Sequence, residues 1–431
     1  MTDEESAVSR RAFLATGGVA LGGSLLSTVD SGLPGEGPTE SGPSTATSQT
    51  TTETETVASG QPTDTPTETP APGEVVPPYL GAFFPDGDLV DDMSDLSRWS
   101  GEGTVRADEA ARFRGDQSLY YENEGAVRLT GDYHDDPIDL SGRALSVATW
   151  FGEPKGEQPT FSIRAHAPDR HNTVTMRTSW TGNKDARWQR QDLAVSQVDG
   201  SPDLSTVTRL DVGAWASGAT FELHLADIRT HPKPETGKFV FLFDDTHRHH
   251  YDDYFPILQR YDYPAIEAVV KEYVGRGDRL TVAQIHELRD AGWDVCNHMV
   301  DHENVTELST EELRANIAEM DAFFEDIGAP EGKAFAIYCF GAYDGPSLDV
   351  MAEHFDFVFG GGGLGNYDLT NPGVVACDGI DDNVERGFEL ATHAAEYQSV
   401  GIPTIHDLEV EQFERLVEHV HDLDEAGKST S

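Results

Sequence analysis

From residue 236 to residue 427 short apolar runs alternate with amphipathic helices, and that alternation limits this part of the chain to one fold class. KFVFLF (238–243) is the type of run found in a parallel strand buried on both faces. A helix is expected over Asp252 to Arg260, then a strand at PAIEAVV (264–270). Thr281 with Gln284 three residues on forms a capping box, Leu280 and Ile285 form a hydrophobic staple, and Gly292 stops that helix before the strand WDVCNH (293–298). Ser309 with Glu312, and Leu308 with Leu313, repeat the signals for a helix running to Gly328. AFAIY (334–338), a helix near Ser347–His354, FDFVFG (355–360), GIPTIH (401–406) and a helix from about Val410 complete the series. A βα repeat of this kind predicts a barrel, with function gathered at the C-terminal ends of its strands.

Three strand ends are polar. The first closes on Asp244-Asp245, the strand WDVCN runs into His298 and His302, and the last strand closes on His406. Four residues apart on one helical turn, His298 and His302 would point the same way. One carboxylate with two such histidines makes a three-ligand set with open positions for water and substrate, the arrangement of a catalytic Zn²⁺. Other divalent metals suit the same donors.

FDD (243–245), HMVDH (298–302), YCFGAYD (338–344) and TIH (404–406) resemble, in order and rough spacing, the motifs of the polysaccharide deacetylases, the NodB-homology family. The resemblance covers residues 236–427. It implies an α/β fold, a distorted (β/α) barrel, and a metal-dependent hydrolase that cleaves N-acetyl amide bonds of a polysaccharide. It further implies Asp244 as general base and Asp245, His298 and His302 as metal ligands. The backbone N–H of Phe340 would serve the oxyanion, Gly341 the tight turn after it, and His406 would be the acid that protonates the leaving amine. An O-acyl sugar esterase with the same site, or a non-catalytic metal-containing glycan-binding protein, are the alternatives. A non-haem iron oxygenase shares two histidines and a carboxylate, but with different spacing.

The chain departs from the family pattern in places. Thr246 stands where a Gly is usual, and His247, His249 and His250 crowd the rim behind it. No Arg lies within YCFGAYD, which leaves Arg386 as the candidate to orient Asp244. GGGGLGNYDL (360–369) follows a strand but opens no helix, so it reads as a substrate rim rather than a phosphate cradle. Cys296 and Cys339 read as small buried residues, and His354 and His393 as helix-face residues.

Residues 79–232 lack helical periodicity. Alternating runs at 144–151, 160–167, 173–180 and 220–229 predict an antiparallel β-sandwich or jelly roll. LVDDMSDLSRWSGEG (89–103) and FRGDQSLYYENEGAVRL (113–129) resemble carbohydrate-binding jelly-roll modules. That resemblance implies a structural Ca²⁺ with Asp91, Asp92 and Asp227 as the matching carboxylates. Trp150, Trp180, Trp188 and Trp215 are the candidates for a sugar platform, each with a core role as the alternative.

Before the sandwich, residues 35–78 are rich in Thr, Ser, Pro and Glu and are expected to be a disordered linker. Residues 1–34 carry SRRAFL (9–14) ahead of a Gly-rich apolar run, which reads as a twin-arginine signal that exports folded proteins. The destination is extracellular or the cell surface, with the segment either cleaved or kept as a tether. The apolar run is too short and weak for a confident membrane span, and no Cys follows it for lipid anchoring. With 77 Asp and Glu against 30 Lys and Arg, the formal charge of −47 excludes nucleic acid and anionic lipid as partners. An acidic excess this large, with 7 Lys beside 23 Arg, reads as adaptation to molar salt. Three cysteines supply no disulfide framework.

Overall fold

The computed structural model describes residues 87–154, 159–179, 187–215, 220–363, 365–367, 370–427 and 429–430. The signal segment, the Thr/Ser/Pro-rich linker and Trp180 lie outside these. No helix among the described residues is long and apolar enough to cross a membrane.

Two six-stranded antiparallel sheets make up the N-terminal part. In the first, the long strands Arg143–Glu153 and Thr220–Pro232 pair at the centre. In the second, Arg209–Trp215 lies between Val127–Asp132 and Thr160–His166. The inner faces meet in a core that includes Tyr121, Phe151, Phe161, Leu223 and Val212. Strand Arg209–Trp215 shows the period-2 burial of a sheet with one wet face. Arg143–Glu153 instead is buried at eight consecutive positions, Ala144 to Phe151, because its sheet is covered on both sides. Trp150, Trp188, Phe113, Ala148 and Ala226 form a second apolar layer that packs against Ala352 of the helix Gly345–His354. Polar contacts join the same layers: Arg187 pairs with Asp349 at 2.9 Å, and Asn371 Nδ2 donates to the Arg190 carbonyl at 3.2 Å.

The carboxylates expected to hold calcium have other tasks. Asp91 accepts from the Trp99 indole and the Tyr133 hydroxyl, both at 3.0 Å, and from the Met93 N–H at 2.8 Å. Asp92 accepts from the Ser94 N–H at 2.9 Å. Asp227 is buried against the guanidinium of Arg190, which is itself fully enclosed, and takes Arg229 Nε at 2.9 Å. Two arginines therefore stand where the cation was expected. The calcium assignment is corrected: Asp227 is paired with the guanidinium groups of Arg190 and Arg229.

The C-terminal part is an eight-stranded, all-parallel sheet that nearly closes. Its edge strands, Val375–Ala376 and Asp378–Gly379, are separated only by Cys377. Five neighbouring strands matter below, in spatial order Pro403–Ile405, Leu242–Phe243, Ile266–Val269, Asp294–Asn297 and Phe335–Ile337. Both expected capping boxes are present, on Val282–Asp290 and Thr310–Asp326, and Asp344 with Ser347 adds a third on Gly345–His354. The helix expected near 252–260 begins as a π-helical turn over His250–Tyr254 and continues as Phe255–Gln259.

The helix Val384–Tyr397, marked in the sequence only through His393, buries a face built from Gly387, Ala391, Ala394 and Ala395 with Val384 and Leu390. Small residues are needed there. A Cβ on Gly237, in the neighbouring strand Gly237–Phe239, would fall 2.1 Å from the Ala394 carbonyl oxygen, so the two backbones nearly touch.

Candidate active site

Pairing register brings the proposed base and acid together. Phe243 lies opposite Ile405, and the Asp244 N–H donates to the Ile405 carbonyl at 3.3 Å, so Asp244 and His406 leave adjacent strands side by side. Asp244 Oδ1 sits 3.1 Å from His406 Nε2. Asp244 is buried, and burial raises its pKa, with the charges of His406 and His298 working against the rise.

His406 is held at three points. Its Nδ1–H donates to Asp381 Oδ2 at 2.6 Å and its backbone N–H to Asp381 Oδ1 at 2.9 Å. Its carbonyl accepts from His249 Nε2 at 2.7 Å and His250 Nε2 at 3.0 Å. Burial alone would lower its pKa, but the Asp381 bond and the charges of Asp244, Asp381 and Asp245 push it up to about 9. Asp381 escaped the sequence reading, since nothing marks one Asp among so many. A signal did exist in kind, because an imidazole acid needs a carboxylate to fix its tautomer.

Asp245 faces the two histidines of HMVDH. Its Oδ1 is 3.5 Å from His298 Nε2 and 3.2 Å from His302 Nε2. The expected helical turn is absent: residues 298–304 form a loop in which Met299 and His302 adopt φ of 65° and 63°. The rings converge through those two left-handed residues, 4.6 Å apart and inclined by 72°. Asn297 Oδ1, accepting from the Met299 N–H at 2.8 Å, and Asn316 Oδ1, accepting from the Val300 N–H at 3.0 Å, pin the loop. His298 Nδ1–H donates to the Ile337 carbonyl at 3.2 Å, which turns Nε2 toward Asp245 as the atom that would take a cation. The buried atoms Asp244 Oδ1, Asp245 Oδ1 and His298 Nε2 have no hydrogen bond. Orphaned acceptors are costly unless something occupies the point they face. A carboxylate oxygen and two imidazole nitrogens are a donor set that fits a divalent cation such as Zn²⁺.

Burial opposes the charge on Asp245, yet the two histidines it faces, His298 first, hold its carboxyl far below the usual range. Burial, then the charge of His298, lowers His302 to about 4. Cys339 Sγ lies within 4.8 Å of ligand atoms on both histidines. It sits at the Nδ1 edge of His298, however, and donates to the His298 carbonyl at 3.6 Å, as expected of a buried core thiol.

The backbone after the Asp pair explains why Gly is usual there. Asp245 and Thr246 have φ of 70° and 62°. Thr246 is retained by its surroundings: its Oγ1 accepts from the Val270 N–H and its carbonyl from the Leu280 N–H, both at 2.9 Å. Phe340 is also left-handed, at φ 60°, and its ring is 70% exposed at the mouth, 4.6 Å from the His302 ring.

Arg386 does not reach Asp244. Its Nε donates to Asp378 at 2.6 Å and its Nη1 to Glu389 at 3.2 Å, so the orienting role expected for it is corrected. Behind Asp244 stands a pair that the sequence reading passed over. Glu267 and His250 are both fully buried, with His250 Nδ1 3.0 Å from Glu267 Oε2. His250 Nε2–H donates to the His406 carbonyl, so in the neutral ring that burial favours Nδ1 accepts and Glu267 is the donor. Burial, then the charges of Asp244 and Asp245, raises the Glu267 pKa well above the ordinary value, and burial lowers His250 to about 4. The signal was a single acid inside the apolar strand IEAV.

Residues 231–354 match the family model for polysaccharide deacetylase, a span that holds Asp244, Asp245, His298, His302 and Phe340 and ends before Asp381 and His406. Over 95 residues the chain is 24% identical to YxkH of Bacillus subtilis (strain 168), named as a polysaccharide deacetylase. The match takes in 22% of this chain and 34% of that protein, so the chain spans about a third of the length of this curated relative. Similar solved structures include a family 4 carbohydrate esterase from Streptomyces lividans in complex with acetate, at 14% identity and TM-score 0.36, covering 45% of this chain and 91% of that one. Another is the chitin deacetylase of Colletotrichum lindemuthianum, at 15% identity and TM-score 0.34, covering 45% and 85%.

Proposed function

We propose that this chain is a metal-dependent polysaccharide deacetylase, removing N-acetyl groups from an extracellular or cell-surface glycan after export by its twin-arginine segment. The observation that carries the reading is the convergence of Asp245, His298 and His302 on one point beside an Asp244–His406 pair 3.1 Å apart. Asp245, His298 and His302 would hold a divalent cation, which would supply Lewis acidity toward the acetamide carbonyl and lower the pKa of water. Asp244, a carboxylate whose basicity burial has raised, takes a proton from the attacking water as the new C–O bond forms. Phe340 offers its backbone N–H to the oxyanion. His406, protonated up to about pH 9, gives its Nε2 proton to the nitrogen as the C–N bond breaks, so acetate and a free amine leave. The contact between Asp244 and His406 then lets the proton taken from water reset the acid.

Acetate release from N-acetylglucosamine oligomers, measured in roughly molar salt with and without chelator and beside Asp244→Asn, tests the reading. Acetate that disappears with chelator and with the variant supports it. Bound metal with release from O-acetylated sugars alone would move the assignment to an esterase. Bound metal with no release from either would move it to a glycan-binding protein.

A further inference from the structure

Among the described residues, one outer face of the sandwich is covered and the other is not. The sheet holding Trp150 and Trp188 lies against the barrel, and both rings are buried there rather than free to stack on sugar. The other sheet turns a polar face to solvent, with exposed Arg128, Arg164, Arg177 and Arg209 on it.

Strand register arranges this face in rows. Thr130, Asp211, Arg164 and Thr175 lie side by side across four strands. One step along, Arg128, Gly213, Ser162 and Arg177 form the next row. With no side chain at Gly213 and a small one at Ser162, the second row dips at its centre, and a groove of about 560 Å³ opens there. Arg128, Arg164 and Arg209 line it against two carboxylates, Glu102 and Asp211, and Arg128 Nη1 already pairs with Glu102 at 3.5 Å. In a chain with 77 acids to 30 bases, that is a local reversal of sign. Asp211 is already engaged by Arg209, His166 and Thr130, at 2.6, 2.7 and 2.9 Å. Arg164 is held differently. Its Nε donates to Thr175 Oγ1 at 3.1 Å, and it has no carboxylate partner among the described residues. A guanidinium fixed through Nε presents its two Nη groups as a ready fork for an oxyanion. Two residues beyond Gly213, and so on the same face, Trp215 is 66% exposed.

We propose that this groove binds a segment of glycan carrying oxyanions, uronate carboxylates or sulfate esters, with Arg164 as the anion contact and Trp215 as an apolar platform at one end. The site stands apart from the barrel, and its occupancy does not depend on the deacetylase reading. It would hold an acidic polymer against the protein while the barrel works on acetamido groups.

The test is calorimetric titration of the full chain with oligogalacturonate, sulfated dextran oligomer and neutral chitohexaose, in about 0.1 M and about 2 M KCl. The acidic oligomers are expected to bind and the neutral one not, and comparison of the two acidic probes identifies the oxyanion. Arg164→Met should weaken binding about tenfold, as loss of a charge-assisted fork predicts. Gly213→Leu, which fills the groove without touching a charge, should do the same. Both variants should keep the wild-type melting temperature and the wild-type acetate release. Equal binding of neutral and acidic oligomers would overturn the proposal. So would binding that neither variant changes, or no binding of either acidic probe.

Discussion

Asp381→Asn isolates what a single carboxylate does for the proposed acid. In the wild-type protein Asp381 Oδ1 accepts the backbone N–H groups of His406 and Asp407, both at 2.9 Å, while Oδ2 accepts from His406 Nδ1. Asparagine can keep the first two bonds through its carbonyl oxygen, so the loop should hold its shape. Its NH₂ then faces Nδ1 and favours the neutral ring. A hydrogen bond to a charged group is worth about 1.5–3 kcal/mol, or about 1–2 pKa units. The ring is partly exposed, so screening places the expected shift near the lower end, from about 9 to about 8.

The readout is kcat against pH for acetate release, both proteins carrying the same metal so that the cation's effect on His406 is common to the two curves. The alkaline limb should move about one unit toward acid, leaving the variant roughly fivefold slower at pH 9 and little changed near pH 6.5. KM should stay put. A curve that falls uniformly at every pH, with the limb in place, would refute the assignment of His406 as the titrating acid. The same pKa has a stability consequence. Because it is raised above its ordinary value of 6.5, the His406–Asp381 pair stabilises the fold fully below about pH 6.5, and that contribution is lost as pH rises through about 9.

Three further outcomes are expected. His298→Ala and His302→Ala should each lower metal affinity by more than the roughly 10–100-fold typical of supporting residues, read as metal content after dialysis; retention of wild-type content would remove them as ligands. Glu267→Gln should change stability by no more than about 1 kcal/mol in urea unfolding, since one neutral donor replaces another, whereas Glu267→Ala should cost about 2–4 kcal/mol by leaving a cavity and an unpaired His250. A large loss in the Gln variant would mean that Glu267 is ionised. Asp227→Ala should destabilise by about 3–5 kcal/mol, because the enclosed Arg190 loses its counter-charge, while added Ca²⁺ leaves the wild-type melting temperature unchanged.

Local rules carried most of what the sequence revealed. Capping boxes at Thr281 and Ser309 are written within four residues, and a strand that ends in Asp244-Asp245 announces its polar end directly. What stayed hidden is set by register between distant segments. Asp381 meets His406 across 25 positions of sequence, and Arg190 meets Asp227 across 37. The abundance of acids worked against the reading twice, hiding Asp381 and suggesting a calcium site at Asp227. A carboxylate is informative where its surroundings are apolar, and by that standard Glu267 within IEAV should have been noticed. Its burial fits the missing arginine: with no guanidinium in YCFGAYD, burial and the charges of Asp244 and Asp245 favour the neutral form of the acid behind the base.

The histidine spacing gives the sharpest case, because it named the right residues through the wrong geometry. On a helix the i, i+4 relation places side chains on one face at fixed separation, and substitutions at the intervening positions are neutral to that placement. Here the convergence of His298 and His302 depends on left-handed backbone at Met299 and at His302 itself, with the Asn297 and Asn316 side chains holding the turn. Left-handed backbone costs a non-glycine residue about 1–2 kcal/mol. The loop therefore stays in this shape only while its hydrogen bonds, and the cation its ligands would share, outweigh that strain. Asn297→Ala leaves every proposed ligand in place yet removes the turn's acceptor, so it should weaken metal binding. Under the helical reading the same substitution would do nothing, and metal affinity alone separates the two.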